Sequence, residues 1–241
     1  MSFAITAYVR EGIVMAADSR LSLDTRQVAG PNITNLISVG QSDSNQKLFV
    51  TKSGVGISTV GAADIKGVPI AGFIEQFAIQ IVGDNKWSPD KVADEIIKFF
   101  HSQAVIPDTQ FHIAGYDHDT NEQQVIHVAI PSKAKNRVNP KDQFGVAWAG
   151  EGDVLGRILN PTAEIDPQKG NAIKAVYPNI PIPFNFFTLQ DAIDFSVYAV
   201  RTTIDTIKFQ PRPKSVGGPI DVLVIKLNEI RWVKRKELNV I

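Results

Sequence analysis

The stretch that decides the fold lies near the start of the chain, where residues 4–20 read AITAYVREGIVMAADSR. Residues 4–9 favour a β-strand, and residues 13–17 form a continuous apolar run typical of a strand that is buried on both faces. Between them, residues 10–12 read REG and predict a turn. We therefore predict a β-hairpin whose second strand ends at the polar residues 18–20.

The same hairpin predicts which residues lie opposite each other. If the chain turns at Glu11, the numbers of paired residues add up to about 22–23, because each step along one strand matches a step back along the other. By this count the partner of Ser2 lies just past Ala17 and Asp18. We expect Ser2 and Asp18 to make contact at the open end of the hairpin.

Working outward, four segments of the chain predict helices. A first helix is expected to be capped by Asp64, and Ser88 is a favourable N-cap for a second. A short helix is expected after the Gly-Glu-Gly turn at residues 150–152. Thr188 and Asp191 form a capping-box pattern, which predicts the start of a long helix.

The remaining segments predict strands and connections. A polar loop is expected over residues 21–45, and a proline-rich connection over residues 161–183. Strands buried on both faces need cover on both sides, and a strand–turn–strand opening argues against a βαβ unit. We therefore predict two central sheets with helices outside them, and we expect residues 1–241 to form one domain. Further strands are predicted at residues 47–50, 55–60, 110–116, 123–130, 143–149, 220–227 and 231–233.

The composition excludes several classes of protein. The 241 residues include no cysteine, which excludes disulfide frameworks, iron–sulfur clusters, cysteine zinc sites and a cysteine nucleophile. Lys+Arg and Asp+Glu both number 25, so no charge excess points to nucleic acid or an anionic membrane, and the basic residues 234–236 are expected to be a solvated tail. The absence of a signal peptide and of a transmembrane run predicts a cytoplasmic protein. No metal site is predicted, because the spacing of His101, His112, His118 and His127 matches no zinc pattern.

Ser2 becomes the first residue of the chain if Met1 is removed. An N-terminal serine carries a hydroxyl nucleophile and an α-amine on one residue, and the amine, with a reference pKa of about 7.7–8.0, can accept the hydroxyl proton. A nearby lysine would lower the pKa values of both groups through its positive charge, and a carboxylate would orient that lysine. Asp18 and Lys47, each at the end of a predicted strand, are the candidates for these roles.

Residues 6–20, TAYVREGIVMAADSR, resemble the opening of proteasome β-type subunits, which are N-terminal nucleophile hydrolases. Counting without a gap places Ser2 on the N-terminal threonine of that family and Asp18 on its catalytic aspartate. The resemblance extends to the bacterial proteasome-like proteins of the Anbu group. It continues in KLF at residues 47–49, which resembles the family's lysine-led strand, in STVGAAD at 58–64, and in the glycine turns GEG at 150–152 and SVGG at 215–218.

The resemblance implies an α+β fold arranged as a four-layer αββα sandwich. It implies that Ser2 is the nucleophile, that Asp18 and Lys47 support it, and that a backbone N–H at Val60 or Gly61 stabilises the oxyanion. It further implies a peptide or protein substrate, self-association into a ring-like or helical homo-oligomer, and an ATPase unfoldase partner that the sequence does not identify. No cofactor is implied.

Departures from the family pattern concern the surroundings of the nucleophile. The nucleophile is serine rather than threonine, and we expect removal of Met1 to be the only maturation step. Glu151 stands where the family has a serine, and residues 212–214, RPK, stand where it has an aspartate. We therefore predict Glu151 and Ser215 as supporting residues, together with Arg20, whose role is expected to be structural.

Two other functions fit the same residues. One is a catalytically inactive, proteasome-like assembly subunit, which would form stable oligomers without hydrolysing a substrate. The other is an amidase of the same superfamily that acts on a small molecule. Profiling against peptide and acyl-amide libraries would distinguish this amidase from a peptidase.

Overall fold

The computed structural model describes residues 2–30 and 33–237, and for residues 23–30 and 33–40 only the backbone is described. The fold is a mixture of α-helices and β-strands, with the strands arranged in several sheets. The helices are α1 (Ile70–Gln76), which continues as a π-helical segment (Phe77–Val82), α2 (Pro89–His101), α3 (Asp153–Leu159) and α4 (Leu189–Phe209). The strands are β1 (Phe3–Val9), β2 (Gly12–Ala17), β3 (Leu21–Gly30), β4 (Ile33–Ser42), β5 (Leu48–Val50), β6 (Gly56–Gly61), β7 (Asp64–Ile65), β8 (Val68–Pro69), β9 (Thr109–Tyr116), β10 (Gln123–Ala129), β11 (Ala134–Arg137), β12 (Gly145–Gly150), β13 (Thr162–Asp166), β14 (Ala172–Tyr177), β15 (Asp221–Lys226) and β16 (Glu229–Lys234).

The hairpin predicted at the start of the chain is present as β1 and β2, and both strands are buried along their whole length. Its predicted register is wrong, because Val9 pairs with Gly12 and the turn contains only two residues. Two-residue turns are the commonest hairpin connections because their twist matches that of the strands they join. Since Ala4 pairs with Ala17, the residue opposite Asp18 is Phe3.

Two antiparallel sheets of five strands each form most of the structure. The first has the strand order β12-β1-β2-β15-β16, and the second has the order β11-β10-β9-β6-β5. All the strands predicted outside the first hairpin are present in these two sheets. The edge strand β11 was not predicted, because only four residues form it and none of them is fully buried.

Three clusters of buried side chains connect the sheets and helices. Helix α4 packs against β1 and β2, with Val200 in that cluster. Helix α2 packs against β9 and β10, with Ile96 in the second cluster. The third cluster contains residues of both sheets, including Met15 from the first sheet and Leu48 and Ala114 from the second. Helices therefore cover the sheets, and apolar residues of the two sheets share one core.

Local capping patterns predict most of the helix starts. Ser88 caps α2, and Thr188 and Asp191 form the capping box of α4, as predicted. The prediction that Asp64 caps the first helix is wrong, because α1 begins only after Pro69. The Asp64 carboxylate instead accepts a hydrogen bond from the backbone N–H three residues on, in the turn between β7 and β8. In the part of the chain that the structure describes, no helix has both the length and the apolar composition needed to cross a membrane.

The predictions of a loop over residues 21–45 and of a connection over residues 161–183 are both wrong, since each segment contains a hairpin. Strand β3 pairs with β4 and β13 pairs with β14, and neither pair joins one of the five-stranded sheets. No residue of β13 or β14 is buried. A strand that buries neither face lacks the alternation of apolar and polar residues by which strands are predicted.

Candidate active site

The three residues predicted to carry catalysis lie together where strands of both sheets begin or end. Ser2 precedes β1 and Asp18 follows β2, so the first hairpin brings both to its open end. Lys47 precedes β5 of the second sheet, and its Nζ lies 2.6 Å from Oδ1 of Asp18. Ser2, Asp18 and Lys47 expose only 7%, 1% and 2% of their surface, so this group is set into the molecule.

Asp18 is held by four hydrogen bonds, two on each carboxylate oxygen. Oδ1 accepts from the Phe3 N–H at 3.0 Å and from Lys47. Oδ2 accepts from the backbone N–H groups of Arg20 at 3.1 Å and Gly217 at 3.0 Å. These donors come from four separate segments of the chain, so the carboxylate has a single orientation with respect to the lysine.

Asp18 does not make the expected contact with Ser2 but contacts Phe3, the next residue of the chain. Because the register of the hairpin differs from the prediction, Asp18 bonds to the backbone of Phe3. Lys47, which lines the same cavity as Ser2, extends from that cavity to Asp18. The carboxylate therefore acts on the surroundings of Ser2 through the lysine.

Burial lowers the pKa of Lys47 below the ordinary value of a lysine. The charge of Asp18 and its hydrogen bond oppose this lowering, and the ammonium of Lys236 adds to it. Lys47 therefore lies beside Ser2 with a pKa that burial lowers against the opposing charge of Asp18.

Lys236 belongs to a second buried ion pair that the sequence did not reveal. Its Nζ contacts Oδ2 of Asp221 and lies 3.1 Å from Oγ of Ser19, the residue after Asp18. The prediction that residues 234–236 form a solvated tail is wrong for Lys236, whose side chain is only 9% exposed. No local pattern marks this contact, because Lys236 and Ser19 are 217 positions apart.

The predicted glycine turn at residues 150–152 holds the backbone of Ser2. The N–H of Glu151 donates to the carbonyl oxygen of Ser2 at 2.8 Å. Gly150 has a φ of +90°, and a Cβ at this position would lie 1.8 Å from that same oxygen. Only glycine accommodates both the positive φ and the close approach of this oxygen, so the turn fixes the position of the Ser2 backbone.

Glu151 and Ser215 lie together, as expected for supporting residues. The hydroxyl of Ser215 donates to Oε1 of Glu151 at 3.0 Å, and Nη1 of Arg212 lies 3.5 Å from Oε2. Glu151 also lines a cavity of about 220 Å³ that borders Ser2. Glu151 therefore places a carboxylate in a cavity that Ser2 also lines.

Arg20 makes the contacts of a structural residue. Its Nε and Nη2 bond to both carboxylate oxygens of Asp43 at 2.7 and 2.8 Å, and its Nη1 donates to the carbonyl of Lys214 at 3.3 Å. The guanidinium lies against Gly217, where a Cβ would be 2.5 Å from Cζ. Arg20 thereby holds the turn that donates a hydrogen bond to Asp18.

Of the two candidate oxyanion donors, the geometry favours Gly61. The N–H of Thr59 donates to the carbonyl of Lys47 at 3.0 Å, and hydrogen-bonding directions alternate along a strand. The N–H of Val60 therefore faces β9, the strand from which its own carbonyl accepts a bond. The N–H of Gly61 therefore points to the same side of β6 as Lys47. The pairing of β5 with β6 begins at Leu48 and Ser58, so Gly61 lies past the end of that pairing. The φ of +109° at Gly61 then turns the chain away.

The histidines do not form a metal centre with other ligands in the described ranges. No group of three or more His, Asp or Glu residues there is placed to hold an ion. His112 and His127 pair across β9 and β10 with ring centroids 5.6 Å apart. Burial lowers the pKa of His112 to about 3, and its Nδ1 lies 3.2 Å from the hydroxyl of Thr6 in the first sheet. His112 is therefore a neutral core residue that bonds across the two sheets.

Comparison with known proteins adds no further assignment. No protein-family model matches the chain. A search of curated proteins also finds no match.

Proposed function

We propose that this protein is an N-terminal nucleophile amide hydrolase, a proteasome-like peptidase that uses Ser2 once Met1 has been removed. The observation that carries this proposal is the buried Lys47–Asp18 pair beside Ser2, with Nζ 2.6 Å from Oδ1. A buried ion pair adds little to stability, because a protein in which hydrophobic residues of similar volume replace the pair is often at least as stable. Stability alone therefore does not explain this pair. Its position next to a hydroxyl residue points to catalysis.

The reaction begins with attack by the Ser2 hydroxyl. Oγ forms a bond to the substrate carbonyl carbon while its proton passes to the free α-amine of the same residue. The negative oxygen of the tetrahedral intermediate accepts the N–H of Gly61. The amine then gives its proton to the departing nitrogen as the C–N bond breaks, which leaves an acyl ester on Ser2. Water, deprotonated by the same amine, hydrolyses the ester.

Lys47 and Asp18 support this proton transfer. The positive charge of Lys47 stabilises the alkoxide form of Ser2 and disfavours protonation of its amine in the resting enzyme. The four hydrogen bonds to Asp18 keep the lysine in place. Glu151, which lines a cavity with Ser2 and accepts a hydrogen bond from Ser215, would orient the freed amine.

We further propose a four-layer arrangement of helices and sheets and an assembly of several copies of the chain. The packing of α4 on the first sheet, of α2 on the second, and of the two sheets on a shared core supports a four-layer αββα sandwich formed by residues 1–241. Peptides or proteins are the proposed substrates. Self-association into a ring-like or helical homo-oligomer, and delivery of substrates by an ATPase unfoldase, complete the proposal.

Intact-mass measurement with a covalent probe tests the proposal. We expect the purified protein to lack Met1 and to gain the mass of one β-lactone or peptide epoxyketone per chain. Ser2→Ala and Lys47→Ala should abolish the adduct, whereas the exposed Lys52, whose side chain is 67% exposed, should tolerate Lys52→Ala with no change in labelling. Retention of Met1 in all molecules together with no adduct would exclude catalysis by Ser2.

A second variant separates loss of catalysis from loss of folding. Lys47→Ala leaves Asp18 buried without its ion-pair partner, which costs about 3–5 kcal/mol of stability. The double variant Asp18→Asn, Lys47→Met removes both charges and keeps the volume, so it should remain folded by circular dichroism and still fail to label. Normal labelling of this double variant would contradict the role of the ion pair.

A further inference from the structure

The hairpin formed by β13 and β14 stands apart from the two large sheets. Among the described strands, β13 and β14 pair with each other alone, and no residue of either is buried. The base of the hairpin is fixed by Asn179, whose Nδ2 donates to the carbonyl oxygen of Leu159, the last residue of α3, at 2.9 Å. A two-stranded hairpin by itself is at best marginally stable in water, so this element needs a further contact.

The pairing of the two strands gives the hairpin two different faces. Side chains alternate between the faces along a strand, and residues that pair across the strands share a face. One face, here called the apolar face, consists of two cross-strand pairs, Ala163 with Val176 and Ile165 with Ile173. All four residues are exposed, and Ile173 keeps 67% of its surface accessible to water.

The opposite face carries the charged side chains of the two strands. Glu164 and Asp166 alternate with the apolar residues of β13 and therefore lie on this face. Nζ of Lys174 lies 2.6 Å from Oε1 of Glu164, and the hydroxyl of Tyr177 donates to Oε2 at 3.2 Å. The residues of the hairpin strands that are partly covered, namely Glu164, Asp166 and Ala175, are all on this face. The hairpin thus leaves its apolar face more exposed than its charged face, which is the reverse of what water favours in a monomer.

Exposed apolar side chains are concentrated around this hairpin. Among the described residues, sixteen large apolar or aromatic side chains are exposed, and seven of them lie within residues 158–186. The apolar face by itself exposes a few hundred Å², whereas a standard interface buries about 800 Å² per partner. A contact of this size fits one of several contacts that each copy makes in an oligomer.

The charges favour a second copy of this chain as the occupant of the apolar face. Residues 162–177 contain two acidic and two basic side chains, so no positive excess would attract an anionic membrane. The apolar face has no charge that a different protein would have to match. The whole chain has a formal net charge of zero, so two copies do not repel each other at a distance.

The apolar face is also complementary to itself in size. The pair Ile165 and Ile173 lies nearer the turn of the hairpin, and the smaller pair Ala163 and Val176 lies nearer its base. In a twofold-symmetric contact, residue i of one copy meets residue j of the other, and residue j meets residue i. If the hairpins run in opposite directions, the larger pair of each copy therefore lies over the smaller pair of the other, so that the side chains interdigitate.

We propose that the apolar face of the β13–β14 hairpin packs against the same face of a second copy in a twofold-symmetric contact. The inference rests on the self-association included in the proposed function, for which it identifies one contact surface, and it does not depend on catalysis by Ser2. A twofold contact closes on itself. It therefore joins in pairs the copies that other surfaces arrange in a ring or a helix.

Sedimentation velocity over a range of protein concentrations tests the contact. Ile173→Lys places a charge in the centre of the apolar face, so the concentration at which half of the protein is associated should rise at least about 10-fold. Ala172→Lys is the matched control, because Ala172 is the neighbouring exposed residue and pairs with Asp166 on the opposite face. It should associate as the wild-type protein does, and circular dichroism should show that both variants are folded.

Cross-linking tests which residues meet. The chain contains no cysteine, so an introduced one reports its own contacts. When Ala163→Cys and Ile173→Cys proteins are mixed, a short bismaleimide should join unlike chains faster than it joins either variant to itself. Ala172→Cys mixed with Ala163→Cys should give no cross-link, because Ala172 lies on the opposite face.

The possible outcomes separate this inference from the proposed function. A wild-type protein that stays monomeric overturns both the self-association and this contact. An oligomer that Ile173→Lys leaves unchanged, without the cross-link, overturns this contact alone. If the cross-link forms but the epoxyketone does not label Ser2, the contact is supported and the hydrolase is contradicted. Binding to vesicles of phosphatidylcholine and phosphatidylglycerol that Ile173→Lys abolishes, with association unchanged, assigns the face to a membrane and overturns the inference.

Discussion

Among single residues, two glycines of the site cannot be replaced, because a Cβ at either position would clash with a backbone oxygen. Gly150 allows the carbonyl of Ser2 to approach the turn, because a Cβ would lie 1.8 Å from that oxygen. Gly61 has the backbone conformation needed at the end of β6, and a Cβ there would lie 2.4 Å from the carbonyl of Asp108. Two glycines thus determine the positions of Ser2, the proposed nucleophile, and of Gly61, the proposed oxyanion donor.

Gly150→Ala should therefore abolish probe labelling and lower the free energy of unfolding by about 1–3 kcal/mol, the cost of a side chain in an unfavourable backbone conformation together with a displaced Ser2. Gly54→Ala is the matched control, because Gly54 also has a positive φ of +80° but nothing lies within 4 Å of its Cβ position. It should lose about 1 kcal/mol and label normally. Labelling rates and urea unfolding are the measurements. Normal labelling of Gly150→Ala would show that the turn does not position Ser2.

At the scale of elements, the ends of strands from both sheets supply the charged groups. The start of β5 brings Lys47 to the end of the first hairpin, and the chain leaving β16 brings Lys236 back to Ser19. Two buried ion pairs result, Lys47–Asp18 and Lys236–Asp221. The second pair is arranged so that its ammonium lowers the pKa of Lys47.

Removal of the second pair should shift the pH dependence of labelling. In the double variant Asp221→Asn, Lys236→Met, the repulsion from Lys236 is absent, so the pKa of Lys47 rises. Since the proposed mechanism needs a protonated Lys47, the alkaline limb of the labelling profile should move to higher pH. Replacement of both partners avoids a buried unpaired carboxylate, which would destabilise the fold. An unchanged alkaline limb in a folded variant would contradict the coupling.

At the scale of the whole molecule, a polar contact joins the two sheets within the core. His112 of the second sheet lies 3.2 Å from the Thr6 hydroxyl of the first, and both residues are buried. A neutral imidazole satisfies the hydroxyl at no electrostatic cost. A protonated imidazole at this position would be a charge in an apolar core, which is why burial lowers the pKa of His112 to about 3.

The molecule should consequently lose stability in acid through His112. The pKa is about 3 in the folded state and about 6.5 in the unfolded state, so below about pH 6.5 the unfolded chain binds a proton that the folded chain does not. This contribution to the free energy of unfolding therefore decreases as the pH falls from about 6.5 to 3, by up to about 1.4 kcal/mol per pH unit.

Urea unfolding between pH 4 and 7 measures this effect. His112→Gln, which cannot titrate, should show a shallower dependence of stability on pH than the wild-type protein. The exposed His118 is the matched control, and His118→Gln should follow the wild-type slope. Identical slopes for His112→Gln and the wild type would mean that His112 does not contribute to acid unfolding.

Much of the candidate site could be predicted from residues close together in sequence. The first hairpin, the caps at Ser88 and Thr188, and the glycine turn at residues 150–152 are local features, determined by hydrogen bonds and backbone preferences within a few residues. Ser2 was a candidate because removal of Met1 would make it the N-terminal residue. Asp18 and Lys47 were candidates because each stands at the end of a predicted strand, and the family resemblance includes all three. The register of the hairpin was missed because one residue more or less in a turn shifts every pair.

Local patterns therefore predict the long helices, the strands of the two large sheets apart from β11, and the chemical groups at the ends of those strands. The tertiary structure decided which of those groups meet. Lys47 reaches Asp18 across 29 positions and Lys236 reaches Ser19 across 217, because two sheets share one core and their strand ends coincide. Contacts between distant segments depend on how whole sheets pack, and no local pattern records them.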